Sequence, residues 1–419
     1  MNYSQRVSLL AVLLMLLSAR VSVAADPGAD AGGKPVPVWC LDFSPDGSLL
    51  AAGGGDREGA GILQLWNTTD WTSILAIPED RALTCVAFSP DGRSLAVGTQ
   101  KGQFAIFDIA SKKTAAFWES GKWAVYGVTW TPDGNRIIGA CANGAIKVWD
   151  AKTQALQVNF DVWQADGIED PGLRGHADRN QWDVAVTADG KTLISGGWND
   201  TTRVWSLATQ KLIRSFSDED KSTQGVKLMP DEKHFVSAGM KTGCVRIRDT
   251  KTFRERMTLP VSGRDLAVHP NGSLIAASSM TDVRVYRVNL ELPGPAATSR
   301  ANEFIKQLDA VDPRQRANAI QSLKEMGPCI EPLLDEIMRS KSEKLIDQVR
   351  ELWETLRTAT EVAVLGDLKG EVRQVVFSPT GKFLAASTLT GEVRVWTVPD
   401  FVLHQSFIVK SVDPIAGNE

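Results

Sequence analysis

The pentapeptide FSPDG occurs at Phe43–Gly47 and again at Phe88–Gly92. Within it, Pro fixes one turn residue, and Asp followed by Gly fits a tight hairpin. Five related turns follow, namely WTPDG from Trp130, VTADG from Val186, LMPDE from Leu228, VHPNG from Val268 and FSPTG from Phe377. The first residues of the seven turns are 45, 42, 56, 42, 40 and 109 residues apart. This spacing indicates an internal repeat, with an insertion in its last interval.

Strand-like segments flank each turn. In the second repeat an alternating segment, Leu83–Phe88, precedes the turn, and two further apolar segments, Ser94–Thr99 and Phe104–Ile109, follow it. Most repeats add a fourth, weaker segment, such as Ala155–Phe160. Four short antiparallel strands at this period are typical of one propeller blade. The sequence therefore predicts an all-β fold, a seven-bladed β-propeller, whose last blade is completed by the apolar segment at residues 401–409.

The repeats resemble those of the WD40 family over roughly 300 residues. That family ends the third strand of each blade in Trp-Asp, which occurs here in full at Trp149-Asp150 and in degenerate form elsewhere. Its Gly-His opening occurs as Gly175-His176. The resemblance implies a structural hydrogen-bond network in the fourth blade, formed by His176, Ser195, Asn199 and Trp205.

The resemblance also implies a binding surface. Four positions before each turn lies a residue that in WD40 propellers faces the mouth of the central channel. These residues are Trp39, Thr84, Tyr126, Trp182, Gln224, Arg264 and Arg373. Aromatic and Arg side chains dominate interface hot spots, and Arg binds carboxylates through its planar fork. We therefore expect a protein or peptide partner with an acidic or C-terminal segment, or another anion, at Trp39, Tyr126, Trp182, Arg264 and Arg373, with Trp198 and Met240 on the rim. The alternative is that each side chain only packs within its blade.

Residues 299–356 change to a helical period with four apolar stripes. Asp312-Pro313 is typical of a helix start, and Gly327-Pro328 of a helix end. The segment from Asp312 to Gly327 resembles a HEAT-type helical repeat. The sequence predicts a small all-α insertion between strands three and four of blade six, on the face opposite the channel mouth. It is either a second site for a protein partner or a decoration that packs on the blade.

The N-terminus has the pattern of a secretory signal peptide. Its apolar run, residues 7–19, is too short for a comfortable membrane span, and Ser22 and Ala24 supply small residues before a cleavage site. We expect an extracytoplasmic protein, in the periplasm or at the cell surface, whose mature chain has no membrane span; an uncleaved anchor is the alternative. The expected segments are a signal peptide 1–24, a linker 25–35, blades one to six in 36–290, the HEAT-like insertion 291–360, the rest of the propeller 361–409 and a tail 410–419.

Composition argues against a nucleic-acid partner, because the formal net charge is −4. Five Cys are present, and Cys40 and Cys85 occupy the same place in successive repeats. They could form a disulfide in an oxidising compartment or remain as buried thiols in the repeat core.

Patterns for catalysis are missing from the sequence. The four His are not at metal-ligand spacing, and Cys-x-x-Cys and Gly-x-Ser-x-Gly do not occur. We therefore expect no metal, no cofactor and no catalytic residue, and predict an exported, non-enzymatic interaction scaffold. One alternative is an exported propeller enzyme, a hydrolase or a quinone-dependent dehydrogenase, for which Asp183 and Asp265 near the mouth are candidate carboxylates. Another is a permanent subunit of an envelope complex.

Overall fold

The computed structural model describes residues 33–56, 60–165, 180–198, 201–217, 222–239, 244–290, 294–326, 330–339, 343–356 and 359–411. The expected signal peptide, most of the expected linker and the tail after residue 411 lie outside these ranges.

The described chain forms seven antiparallel sheets, each of four strands that pair with their sequence neighbours. The first three blades contain β1 (Val38–Phe43), β2 (Leu49–Gly55), β3 (Gly61–Asn67), β4 (Ser73–Glu79), β5 (Leu83–Phe88), β6 (Ser94–Thr99), β7 (Gln103–Asp108), β8 (Lys113–Glu119), β9 (Val125–Trp130), β10 (Arg136–Cys141), β11 (Ala145–Asp150) and β12 (Leu156–Asp161). A short helical turn, Val162–Ala165, follows β12.

The other four blades have the same arrangement. They contain β13 (Gln181–Val186), β14 (Thr192–Gly197), β15 (Thr201–Ser206), β16 (Lys211–Ser217), β17 (Thr223–Leu228), β18 (His234–Gly239), β19 (Val245–Asp249), β20 (Glu255–Leu259), β21 (Leu266–Val268), β22 (Leu274–Ser278), β23 (Val283–Arg287), β24 (Thr360–Leu365), β25 (Val372–Phe377), β26 (Phe383–Thr388), β27 (Glu392–Thr397) and β28 (Leu403–Ile408). The predicted seven-bladed propeller is confirmed.

The repeated turn is stabilised by hydrogen bonds among its own residues. In the first copy the backbone N–H of Gly47 donates to the carbonyl of Ser44 at 2.7 Å, and Gly47 has a φ of 72°, in the left-handed region that favours glycine. The Ser44 hydroxyl donates to Asp46 at 2.6 Å, and the same carboxylate accepts from the N–H of Ser48 at 3.0 Å. The same backbone bond occurs in the other six turns, so each turn closes the hairpin between the first two strands of its blade.

Antiparallel pairing gives the propeller two distinct rims. The upper rim carries the starts of the first strands and the loops between strands two and three. The lower rim carries the FSPDG-like turns and the connections between strands three and four. Apolar faces of neighbouring blades pack between the sheets; for example, Leu63 and Leu65 of blade one lie in one buried cluster with Val86 and Leu95 of blade two.

Blade seven is completed by β28 from its own chain end, as predicted. The residues before β1 add a contact that the sequence did not indicate. The N–H of Val36 donates to the carbonyl of Val409 at 3.0 Å, and Pro35 forms an antiparallel bridge with Lys410. The two ends of the described chain are therefore joined beside the first and last blades.

Four helices lie between β23 and β24, which pair directly with each other in blade six. They are α1 (Pro295–Gln307), α2 (Pro313–Met326), α3 (Glu331–Met338) and α4 (Glu343–Leu356). Ala301, Leu323, Leu334 and Leu352 belong to a buried cluster made only of residues from this insertion and its connections. The predicted helical insertion between strands three and four of blade six is confirmed, on the lower rim; its HEAT-like character stays a prediction.

Candidate functional site: the mouth of the central channel

The innermost strands carry an extra residue at the position that the sequence assigns to the channel mouth. In the pairing of β1 with β2, Val38 lies opposite Gly54 and Cys40 lies opposite Gly53, so Trp39 has no partner. Register shifts at the same place single out Thr84, Tyr126, Trp182, Gln224 and Arg373. A β-bulge re-aims a side chain. The bulges therefore direct these side chains towards the channel.

In blade six the extra residue is Arg264, which lies before the short first strand β21. The N–H of Arg264 donates to the carbonyl of Ser278 at 3.2 Å, while the N–H of Ser278 donates to the carbonyl of Asp265 at 2.9 Å. Two residues thus oppose one, as in the other blades. All seven ring residues are half-buried and line a single cavity of about 420 Å³.

Arg373 and Trp39 form one wall of this mouth. The guanidinium carbon of Arg373 lies 5.0 Å from the centroid of the Trp39 ring, within the range of a cation–π contact. The indole N–H of Trp39 donates to the carbonyl of Gly55 at 2.9 Å, which fixes the ring. Burial lowers the pKa of Arg373, and the positive charge of Arg264 acts in the same direction. Arg373 therefore faces the channel beside a second cation.

The opposite wall is aromatic. The ring centroids of Tyr126 and Trp182 lie 4.4 Å apart, and those of Trp182 and Trp198 lie 6.1 Å apart. Burial raises the pKa of the Tyr126 phenol, and the charge of Arg373 partly opposes this shift, so the two walls are within electrostatic reach. The structure thus brings together three of the predicted aromatic residues. Met240, the other predicted rim residue, lies outside the described residues.

Two residues beside the mouth were missed by the sequence analysis. Glu371, just before β25, places its carboxylate 2.7 Å from the guanidinium of Arg264. Met280, in the loop between β22 and β23, is 59% exposed, and its carbonyl accepts from the N–H of Val372 at 3.0 Å. A charged residue two places before Arg373 was the available signal for Glu371; no pattern in the sequence pointed to Met280.

The channel below the mouth holds a charge cluster. The ammonium of Lys227 lies 2.5 Å from Asp183, and Asp42 and Asp265 line the same cavity. Burial raises the pKa of Asp42 to about 7 and that of Asp265 to about 6. Burial disfavours the charge of Lys227, but the negative charges of Asp183 and Asp265 outweigh this effect and raise its pKa. Three carboxyl groups therefore share one ammonium.

These carboxylates have a structural role between blades. Asp183 accepts from the N–H of Val226 at 3.0 Å, Asp265 from that of Val375 at 3.0 Å, and Asp42 from that of Phe88 at 2.7 Å. Gln374 accepts in the same way from the N–H of Leu41 at 2.6 Å. Each acceptor satisfies an N–H on the open edge of the next blade's innermost strand, which would otherwise be costly to bury.

Asp42 and Lys227 could have been found from the sequence. Both stand three places after a ring residue, where the other blades have Ala87, Thr129, Ala185, Ala267 and Val376. A charged residue at a position that is small or apolar in the other blades indicates a partner of opposite charge nearby.

The expected blade network is present in part. In blade four the indole N–H of Trp205 donates to the hydroxyl of Ser195 at 3.1 Å, and both residues are fully buried. His176 and Asn199 lie outside the described residues. Blade five forms an equivalent bond from Arg248 to Ser237 at 3.0 Å, with Arg in the position of Trp.

Within the described ranges, no group of three or more His, Cys, Asp or Glu side chains is arranged to hold a metal ion. No described helix combines the length and the apolar character that crossing a membrane requires.

Two family descriptions match this chain. "WD domain, G-beta repeat" matches residues 32–58, 113–150, 171–206 and 360–397, and "Anaphase-promoting complex subunit 4 WD40 domain" matches residues 63–125. The chain belongs to the WD40-repeat β-propeller family.

Curated WD40 relatives match over part of their length. Protein groucho of Drosophila melanogaster is 27% identical over 36% of this chain, and the periodic tryptophan protein 2 homolog of Neurospora crassa is 25% identical over 61%. The U3 small nucleolar RNA-associated protein 12 of Saccharomyces cerevisiae is 31% identical over 29% of this chain. The matches cover 20%, 26% and 12% of these relatives' own lengths.

A solved structure shares the architecture of this WD40 chain. A chain from the crystal structure of the mitotic checkpoint complex matches with a TM-score of 0.61 at 15% identity. The match covers 88% of this chain and 90% of the other. At this identity the likeness shows the fold alone.

Proposed function

We propose that this WD40 propeller is an exported, non-enzymatic scaffold that binds a protein partner at its upper rim. The observation that carries the proposal is Arg373 on the Trp39 ring, 5.0 Å from its centroid, at the mouth of a cavity of about 420 Å³. Arg264 lies beside this pair. A guanidinium at a channel mouth is suited to a carboxylate, so the ligand group is an acidic or C-terminal peptide segment.

The opposite wall supports a peptide rather than a small anion. Tyr126, Trp182 and Trp198 offer stacked rings, and Met280 offers an exposed apolar side chain on the same rim. Aromatic, Arg and Met side chains are enriched in protein interfaces. A free inorganic anion would use the cation and leave these apolar surfaces uncovered.

The helical insertion is a second binding site in this proposal. It hangs from the lower rim and has its own buried cluster, so it can hold a partner without closing the channel mouth. The exposed side chain of Val311, 95% accessible at the turn between α1 and α2, is one contact that such a partner would cover.

Export rests on the sequence of residues 1–24. Sequencing the N-terminus of the protein purified from its native cells tests this part directly. A mature chain that begins close to residue 25 is expected, and a chain that retains its apolar run in the cytoplasmic fraction would refute export.

The binding proposal is tested by affinity purification and mass spectrometry from native cells. The wild type is compared with Trp39→Ala/Arg264→Ala/Arg373→Ala and with a variant in which residues 299–356 are replaced by a short linker. A matched control, Lys152→Ala/Lys191→Ala/Lys251→Ala, removes three exposed positive charges from the lower rim.

We expect the upper-rim variant to lose one partner that the lower-rim control and the deletion variant retain. The deletion variant should lose a different partner. If all variants recover the same proteins, the proposed sites are wrong; a loss in both triple variants would point to net charge rather than to the channel mouth.

A further inference from the structure

We propose that the channel mouth binds the carboxy-terminal residue of its partner, with the terminal carboxylate on Arg373 and a large apolar or aromatic side chain against Tyr126 and Trp182. This inference rests on the proposed function and narrows it, because an internal acidic segment would also satisfy the broader proposal.

The two Arg residues of the mouth are not equivalent. Arg264 is neutralised by Glu371, with 2.7 Å between nitrogen and oxygen, whereas the described residues give Arg373 an aromatic ring and no carboxylate within ion-pair distance. Arg373 is therefore the cation of the mouth that forms no ion pair among the described residues, and the charges of Glu371 and Asp265 act on it only from a greater distance. A single carboxylate matches it, while a second acidic group on the ligand would meet Glu371.

The depth at which an anion can be held is limited by the channel itself. Below the mouth lie Asp42, Asp183 and Asp265, with Lys227 as the one ammonium among them. Like charges in a confined site of low polarity repel strongly. A carboxylate is thus favoured at Arg373 and disfavoured further in, so the negative group of the ligand stays at the rim.

A ligand that contacts both walls of the mouth must carry a carboxylate and a large apolar side chain close together. Arg373, Tyr126 and Trp182 line the same cavity, and the ring centroids of Tyr126 and Trp182 lie 4.4 Å apart. A chain-terminal residue carries its carboxylate and its side chain on the same Cα. An internal Asp or Glu presents the carboxylate alone, and its chain would have to enter and leave by the same mouth.

The cavity volume is suited to a single inserted chain terminus. About 420 Å³ is in the lower part of the range of small-ligand sites, roughly 300–1,000 Å³. One large residue and the adjoining backbone can occupy such a space. A folded-back loop would need room for two chains.

The test uses random heptapeptides that are immobilised through their N-terminus. One library ends in a free carboxylate and its twin ends in an amide. The full-length protein is incubated with both, and enriched sequences are read. We expect enrichment from the free-carboxylate library, with Phe, Trp, Leu or Met at the last position, and an at least tenfold weaker affinity for the amide form of the selected peptides, as for loss of a hydrogen bond to a charged group.

Variants separate the two subsites. Arg373→Gln should lose the preference for the carboxylate over the amide, and Arg373→Lys should keep part of it, because the charge remains. Tyr126→Ala should keep the carboxylate preference and lose the preference for an aromatic last residue. Glu371→Gln leaves Arg264 without its carboxylate, so the selected peptides should then tolerate a second acid. Thermal melts check that each variant is folded.

The outcomes distinguish this inference from the broader proposal. Equal enrichment from both libraries, with Asp or Glu inside the peptides, would overturn the terminal-carboxylate inference and leave upper-rim peptide binding in place. Enrichment from neither library would also overturn it, and the purification experiment above then decides the broader proposal independently. A carboxylate preference that survives in Arg373→Gln would overturn the assignment of Arg373.

Discussion

The guanidinium carbon of Arg373 lies 5.0 Å from the centre of the Trp39 ring, and this contact joins the last blade to the first. The same seam is held by the bond from Val36 to Val409 at 3.0 Å and by the bond from Leu41 to the side chain of Gln374 at 2.6 Å. The wall of the channel mouth that carries the available cation is therefore built only when the propeller closes.

The first prediction concerns this pair. Trp39→Ala removes the ring that holds Arg373 in place, so that binding must then order a free Arg373 side chain, at a cost of about 0.5–1.5 kcal/mol. We expect the affinity for the upper-rim partner, measured by calorimetric titration, to fall about 2- to 13-fold. Trp39→Phe keeps an aromatic face and should retain most of the affinity.

Trp123 provides the matched control. Its ring also has a cation beside it, Lys122 at 5.6 Å, and it is half-buried, but it is not among the described residues that line the channel. Trp123→Ala should leave the affinity within about twofold of the wild type. Equal losses in Trp39→Ala and Trp123→Ala would contradict a specific role for Trp39.

The second prediction is a pH dependence of stability. The pKa of Asp42 is raised to about 7, whereas an Asp in an unfolded chain titrates near 3.9. The folded protein therefore binds more protons than the unfolded chain between these values, and stability falls as the pH rises from about 4 towards 8. Asp265, with a pKa raised to about 6, acts with the same sign.

Asp42→Asn should flatten this dependence. The amide keeps an oxygen that can accept from the N–H of Phe88, now at 2.7 Å, but it cannot ionise. At pH 8 we expect the variant to have a higher melting temperature than the wild type and an unfolding free energy that is larger by on the order of 1–3 kcal/mol. At pH 4 the two proteins should differ little. Melting curves between pH 4 and pH 8 provide the measurement.

Asp46 is the control, because its pKa is shifted in the opposite direction to that of Asp42. The Ser44 hydroxyl and the N–H of Ser48 lower the pKa of this turn carboxylate, so its contribution is present above about pH 4 and is lost below it. Asp46→Asn should leave the slope between pH 5 and pH 8 unchanged. An unchanged slope in Asp42→Asn as well would show that Asp42 does not titrate in this range.

The fold could be predicted because its information is local and repeated. The turn at Phe43–Gly47 makes its own hydrogen bonds, and seven such turns in phase indicate seven blades. The insertion was visible as a change of period between β23 and β24. The bridge from Pro35 to Lys410 was not visible, because a Gly- and Pro-rich segment carries no strand pattern.

The candidate site could be predicted only as a set of positions. The repeats placed Trp39 and Arg373 on one ring, and the cavity brings them together. The pairing of Arg264 with Glu371 depends on how two blades face each other, and the sharing of Lys227 among three carboxyl groups depends on the whole ring. Such contacts join residues that are distant in sequence and have no local pattern.

The third prediction concerns the thiols. Cys40, Cys85 and Cys141 are buried and are not joined in a disulfide. Their Sγ atoms face carbonyls, as in the contact from Cys40 to Gly53 at 3.4 Å. Burial raises the pKa of all three thiols, to about 11 for Cys141, and a thiol is unreactive while it is protonated.

We therefore expect these three Cys to resist alkylation in the native protein and to react after unfolding. Iodoacetamide labelling followed by peptide mass mapping measures this, with half-buried Cys244 as the internal comparison that should label first. Recovery of a peptide pair linked through Cys40 and Cys85 from non-reduced protein would contradict the prediction.

The last prediction compares one position in two blades. In blade four, Ser195 accepts from the indole N–H of Trp205 at 3.1 Å. In blade one, Ala52 stands at the equivalent position, and the indole N–H of Trp66 is buried without a hydrogen-bond partner among the described residues. The two blades thus differ by one hydroxyl group.

Ser195→Ala should destabilise the protein by about 1–3 kcal/mol, because it leaves a buried donor unpaired. Ala52→Ser should have the opposite sign, a gain of about 0.5–1.5 kcal/mol, since it supplies the missing acceptor to Trp66. Denaturant unfolding of both variants measures the pair, and Ala52→Ser/Trp66→Phe, which has no indole N–H, should lose the gain. If Ala52→Ser destabilises as much as Ser195→Ala does, the tight packing around Ala52, which is 1% exposed, outweighs the added hydrogen bond, and the equivalence of the two blades is refuted.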